Sequence, residues 1–254
     1  MANNDSWAKI FSDYNILNHN FDDSPFELSA RNIKISCQNF TEVNQREVRV
    51  LCKQDSRTDR PQIFIDNGLF LLPKNGHYII VKGEGYVDIP SITTDVKVYN
   101  SKLDFKLDTS EIGNSEMQHL DFAYASSLIR TFMNDDSLVL TIRGRKYTPA
   151  FRFNVGNQII KTQSVQTEVD AGYEGRDKIV LIEAKNSSTN NTIIRQLFYP
   201  YKQWKLHTQK DVFLLFFEKR GEVFNIWQYG FTDEYNYNSI ELIKADRYRI
   251  IGQN

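Results

Sequence analysis

Apolar positions along this 254-residue chain change period several times, and each change marks an element. Behind a Ser6 cap, Trp7, Ile10, Phe11, Tyr14 and Leu17 recur at helical spacing and predict a first helix, ended by the polar run 18–25. Mixed, strand-like sequence follows to Cys52, where Val48-Arg49-Val50 favours a strand over 48–52. Pro61 behind Asp59 predicts a short helix that Asn67-Gly68 stops. Residues 69–72 and 77–82 around Lys74-Asn75-Gly76 predict a β-hairpin, and 84–114, with Pro90 and Gly113, predict strands and a linker.

The second half is patterned more strongly. Ser115-Glu116-Met117-Gln118 has the form of a capping box, and Met117, Leu120, Tyr124, Leu128 and Phe132 extend a helix to about residue 133. Strands are expected at 138–143, 148–155, 158–171, 178–185, 212–217 and 223–231. Between them, the polar loop 187–192 ends in a Thr192 cap, and Ile194, Leu197, Phe198, Tyr201 and Trp204 form a helix stripe kinked at Pro200. Val180-Leu181-Ile182 and the run VFLLFF at 212–217 do not alternate, as expected of central strands covered on both faces. The pattern predicts an α/β (α+β) protein: a smaller α+β unit over 1–112, then a mixed central sheet flanked by helices over 113–254.

Composition narrows the class. No apolar run approaches bilayer length, and the start MANNDSWAK lacks the layout of a secretion signal, so a cytoplasmic protein with no membrane partner is expected. Cys37 and Cys52 lie among apolar or β-branched neighbours without metal-ligand spacing, which predicts buried free thiols. The formal net charge is −1, no support for a nucleic-acid binder by itself. The balance is uneven, however: residues 1–115 hold 13 basic and 16 acidic side chains, and 116–254 hold 18 and 16.

The densest chemistry lies in QTEVDAGYEGRDKIVLIEAKN, residues 166–186. With Arg176-Asp177 as a two-residue loop, Gly175 faces Lys178, which puts Asp170 opposite Glu183 and Glu168 opposite Lys185 on one face. Paired carboxylates at cross-strand distance repel unless a cation sits between them, so Asp170 and Glu183 form a candidate Mg²⁺ cage. Lys185, two residues from Glu183, projects to the same side, where an ammonium can hold an attacking water and offset charge growing on a phosphorane. The competing reading of Glu-Ala-Lys is a solvated strand face with a weak surface ion pair.

An acid ending one strand, a short hairpin, a hydrophobic strand closing in Glu-x-Lys, then a helix and another hydrophobic strand resemble the PD-(D/E)XK nuclease superfamily. Within it, VDAGYEG, IVLIEAKN and IRQLFYPYKQW resemble the C-terminal region of a group of type II restriction endonucleases, over about 116–231. The resemblance implies a restriction-endonuclease-like sheet, Asp170 and Glu183 as metal ligands, Lys185 as the catalytic lysine, Mg²⁺ as cofactor and double-stranded DNA as substrate. It also implies a winged-helix-like N-terminal region, to which the order helix, short helix, hairpin corresponds, with Asn75-Gly76 as the wing. A homodimer fits palindromic targets, and a cognate DNA methyltransferase is the expected functional partner. Val169 stands where the motif's proline would be. The run Asp170-x-Gly-x-Glu174 also resembles Mrr-like nucleases, in which the second acid is the ligand. The hairpin register disfavours Glu174, about 13 Å along the strand from Asp170.

Gln166, Glu168, Glu116 and Gln196 are secondary candidates, Glu116 and Asp121 having ordinary helix-start roles as the alternative. For the DNA backbone the candidates are Arg46, Arg49, Lys53, Arg57 and Arg60, then Arg143, Arg145, Lys146 and Arg152 around a turn beside Tyr147, and Arg195 at a helix start. The first five would share a face on a helix and scatter on a strand and loop. Two other readings stay open: a structure-selective or modification-dependent nuclease with the same site, and a non-catalytic DNA-binding protein. A lysine aimed between the acids argues against glycoside hydrolysis.

Overall fold

The computed structural model describes residues 3–186 and 189–252. Its first part runs α1 (Asn4–Asp13), β1 (Phe26–Ser29), α2 (Ala30–Cys37), α3 (Val43–Arg46), α4 (Val48–Leu51), a 3-10 turn at Arg57–Asp59, α5 (Gln62–Asp66), β2 (Leu69–Lys74) and β3 (His77–Lys82). β2 and β3 pair around Asn75 and Gly76, both at positive φ, as a two-residue loop between twisted strands requires. β1 adds antiparallel to β3, giving the order β1-β3-β2. Strand alternation gives this hairpin two apolar faces. Leu69, Leu71 and Ile80 pack with Trp7, Ile10, Phe11 and Phe64, whereas Phe70, Leu72, Ile79 and Val81 pack with Phe153, Phe198 and Tyr199 from the second half. The hairpin is thus a wall shared by two cores.

Three expectations for this part fail. Val48–Leu51 is a helical turn, not a strand: Trp7 Nε1 donates to Leu51 O at 3.1 Å, Leu51 is buried and Val50 stays exposed, so long-range packing overrides a weak β preference. Ala30–Cys37, inside the strand-like stretch, is a helix whose Ser29 cap accepts from Asn32 N. α1 has other bounds than its apolar stripe predicts: it starts at Asn4, so Ser6 is no cap but lies buried inside the helix and donates to Gln45 O at 2.7 Å, and it ends at Asp13, where Asn15 turns to φ 52 and Ile16 enters the core while Leu17 remains exposed. Cys37 and Cys52 are free thiols, Cys37 buried and Cys52 half-buried.

The second part comprises β4 (Tyr86–Asp88), β5 (Lys97–Asn100), α6 (Glu116–Ala125), α7 (Leu128–Met133), β6 (Val139–Tyr147), β7 (Phe151–Val155), β8 (Gln158–Thr162), β9 (Gln166–Glu174), β10 (Lys178–Lys185), β11 (Asn191–Ile193), α8 (Arg195–Lys205), β12 (Asp211–Arg220), β13 (Val223–Phe231) and β14 (Ile240–Ile251). A mixed seven-stranded sheet has the order β5-β14-β13-β12-β10-β9-β6, with β10/β12 and β14/β5 parallel. Val180, Ile182 and Ala184 face α6 and α7, while Ile179 and Leu181 face Leu197 of α8, so β10 is covered on both sides. β4 pairs with β11 and β5 with β14, tying 86–100 to the second part.

The second part differs from the sequence pattern at five places. Ser127 at φ 66 breaks the expected single helix into α6 and α7. Ser115 Oγ accepts from Gln118 N, but the Gln118 amide donates to Thr109 O at 2.8 Å, so only half of the capping box forms. β6 continues to Tyr147, so Arg143, Arg145 and Lys146 lie within a strand and not around a turn, and Ser164 at φ 51 divides 158–171 into β8 and β9. Thr192 lies in β11, and Ile194 takes the N-cap position of α8, which contains Pro200.

Candidate active site

The β9–β10 hairpin has the register that its two-residue loop dictates. Gly175 N donates to Lys178 O at 2.8 Å, and Glu174↔Ile179 through Ala171↔Ile182 are paired. Regular pairing stops one rung before Asp170 and Glu183, where β9 continues against β6 alone. The Ala184 N–H, left without a ladder partner, donates to Asp170 Oδ2 at 2.7 Å. The splay opens a cleft of ≈ 630 Å³ whose lining includes Asp170, Glu183 and Lys185.

Burial sets the electrostatics there. Only 8 % of Glu183 is exposed, and Lys185 Nζ lies 2.5 Å from its Oε1. Burial pushes the Glu183 carboxyl up to about 7; Lys185 works against the rise, while Asp170 and Asp55 add to it. Burial also raises Asp170, opposed by the Ala184 N–H and Lys185 and reinforced by Glu116 and Glu168. For Lys185, burial favours the neutral amine, but Glu183, Asp170 and Asp55 together outweigh it and raise its pKa. Two acids thus sit on one wall, both resisting ionisation, Glu183 answered mainly by the Lys185 ammonium and Asp170 first by the Ala184 N–H and then by Lys185.

Among the described residues, no group of three or more His, Cys, Asp or Glu side chains is gathered as a metal cluster. The donor set nevertheless fits Mg²⁺, which commonly takes one or two carboxylates and fills its octahedron with water and substrate phosphate. Asp170 and Glu183 are the residues that would hold it.

The secondary candidates divide. Gln166, Glu168 and Gln196 line the cleft, with Glu168 3.1 Å from Arg145 Nε and Gln196 Oε1 accepting from Thr192 Oγ1 at 2.6 Å. Glu116 lies behind them, its Oε1 accepting from Asn186 N at 3.0 Å and anchoring the chain just after Lys185. Glu174 sits at the hairpin's turn end, 2.5 Å from Lys210 Nζ and away from the cleft lining. Asp121 pairs with Arg143.

The basic candidates divide too. Arg49, Lys53, Arg145 and Arg195 line the cleft. Arg57 is engaged by Asp88 and Glu84, Arg60 donates to Leu69 O and stacks on Tyr86, and Lys146 lies over Trp204. Arg46 and Arg152 are exposed outside the lining. Asp55 is the participant that sequence reasoning missed. An acid between Lys53 and Arg57 reads as local charge balance, and no spacing signals its approach to α8 across the cleft, where it lies 3.7 Å from Arg195 Nη2.

Residues 81–249 match the model described as "Domain of unknown function (DUF6997)". The chain belongs to the DUF6997 family. Ahead of the DUF6997 region, residues 4–80 match "Domain of unknown function (DUF6996)", so the two matches meet within β3, between Ile80 and Val81. The acids and lysine belong to the DUF6997 region, whereas Arg49, Lys53 and Asp55 belong to the preceding one. No curated protein and no solved structure matches the chain.

Proposed function

We propose that this chain is an Mg²⁺-dependent endonuclease of restriction-endonuclease-like fold that hydrolyses double-stranded DNA at specific sequences, as a type II restriction enzyme does. The observation that carries the reading is the junction of Asp170, Glu183 and Lys185 where β9 and β10 part, in a cleft with arginine and lysine on both walls. The order helix, strand, helices, hairpin, with β1 added to β3, supports a winged-helix-like role for the N-terminal part in gripping DNA. A homodimer on palindromic sites, a partner methyltransferase and a cytoplasmic location belong to the same proposal.

In this reading Asp170 and Glu183 hold Mg²⁺, which when bound neutralises charge on the phosphate oxygens and makes water a better nucleophile. Lys185 orients the attacking water and donates hydrogen bonds to the oxygen charge that builds up at phosphorus. One P–O ester bond breaks and one forms to the water oxygen, leaving a phosphate monoester and an alcohol. Arg195 and Arg145 neutralise backbone phosphates beside the scissile one. Glu168, paired with Arg145, keeps that guanidinium extended over the cleft.

Incubation with Mg²⁺ and a long duplex of known sequence tests this directly. Discrete fragments are expected, lost in Lys185→Ala while DNA binding persists. Cutting confined to junctions or modified DNA moves the protein to another nuclease class with the same site. Binding without any cutting by the unaltered chain removes the catalytic role.

A further inference from the structure

The cleft is lined by both parts of the chain, which meet through contacts that the strand-end motif does not contain. Ile193 N donates to Asp55 O at 2.8 Å, and Arg57 N donates to Asn191 Oδ1 at 2.7 Å. These bonds fasten the 55–57 loop of the N-terminal part to β11, directly ahead of α8. So held, Asp55 Oδ1 lies 3.7 Å from Arg195 Nη2, with both side chains only 22 % exposed, while its Oδ2 lies 3.7 Å from the Nζ of the solvent-exposed Lys53. Arg195 is the first residue of α8 and lines the same cleft as Glu183 and Lys185.

We propose that Asp55 is a positioning residue: supplied by the N-terminal part, it aims the Arg195 guanidinium at the phosphate beside the Asp170, Glu183 and Lys185 centre. The inference rests on the nuclease reading above and adds to it that the active site is completed across the two parts of the chain. A guanidinium is a planar fork whose value to a phosphate depends on its orientation, and an unheld arginine loses side-chain freedom when it binds. Asp55 restricts that freedom in advance, yet at 3.7 Å its grip is loose enough for a phosphate oxygen to share the same donors. The field of Asp55 reaches the catalytic pair, consistent with its place in the site.

Positioning and simple repulsion predict opposite results. Asp55 is an anion in a cleft meant for a polyanion, so if its charge alone mattered, Asp55→Ala would tighten DNA binding and leave turnover unchanged. Positioning predicts that Asp55→Ala lowers kcat at saturating DNA about tenfold with little change in KM. It also predicts recovery of most of that loss in Asp55→Glu, and an Asp55→Ala/Arg195→Ala double variant no slower than Arg195→Ala.

The experiment is a kinetic double-mutant cycle on the full chain with Mg²⁺ and a cleavable duplex, thermal melts confirming that each variant folds. An additive double variant, or an Asp55→Ala enzyme with unchanged kcat, overturns the positioning role while the nuclease reading stands. A wild-type chain that cuts no duplex fells both together. If Asp55→Ala does not fold, Asp55→Asn and Asp55→Glu decide: equal, wild-type kcat in both overturns the role, and recovery in Glu alone supports it.

Discussion

The two ends of one hairpin carry the same pair of residue types and differ in what surrounds them. At the turn end Glu174 meets Lys210 at 2.5 Å; at the open end Glu183 meets Lys185 at 2.5 Å. The side chains of the first pair are 41 % and 30 % exposed, those of the second 10 % and 21 %. Water screens the first, which is a surface ion pair worth at most about 1 kcal/mol. The second has a further carboxylate, Asp170, beside it and a cleft in front, so its charges stay unbalanced. A carboxylate–lysine contact therefore marks a candidate site only where burial and a second acid leave charge that a ligand can answer.

The largest effect that tests this contrast is on cleavage. Glu183→Gln and Lys185→Ala are each expected to slow single-turnover cutting by about 10²–10³-fold, whereas Glu174→Gln stays within about threefold. Equal losses at both ends would erase the distinction.

Next comes pH. Glu183 is raised from 4.5 to about 7 in the fold, so between those values the native chain binds more protons than the unfolded one. Metal-free stability should then fall as pH rises from about 4.5 to just above 7, by on the order of 3 kcal/mol, and Glu183→Gln should flatten the slope. Denaturant melts across this range measure it. A wild-type profile matching that of Glu183→Gln would show that the buried end carries no such penalty.

Mg²⁺ should offset that loss. At pH 8 and a hundredfold excess over its dissociation constant, stabilisation of about 2.7 kcal/mol is expected for the wild type, unchanged in Glu174→Gln and absent in Asp170→Asn/Glu183→Gln. Differential scanning calorimetry with and without the ion reads this. The smallest effect separates the two kinds of basic residue. Arg49→Ala in the cleft should lower the salt slope of DNA binding by about one, whereas Arg57→Ala, engaged by Asp88 and Glu84, should leave that slope intact.

The β9–β10 hairpin was legible because a two-residue loop and strict alternation leave one register, and the observed pairs from Glu174↔Ile179 onward follow it. The β2–β3 hairpin, α5 and the buried strands β10 and β12 were legible for the same local reasons. Val48–Leu51 was misread because its β-branched residues are half-buried or exposed and a distant contact with Trp7 sets its conformation. The break at Ser127 was hidden because the apolar stripe continues across it.

The sequence by itself determined which side chains could do chemistry and on which face of a strand they stand, since period and turn chemistry act over a few residues. Only the tertiary structure decided which charges are buried, that β9 leaves β10 one rung before Asp170, and that Asp55 meets Arg195 across 140 positions. Solvation and contacts between distant segments depend on how whole elements pack, and no local spacing records them.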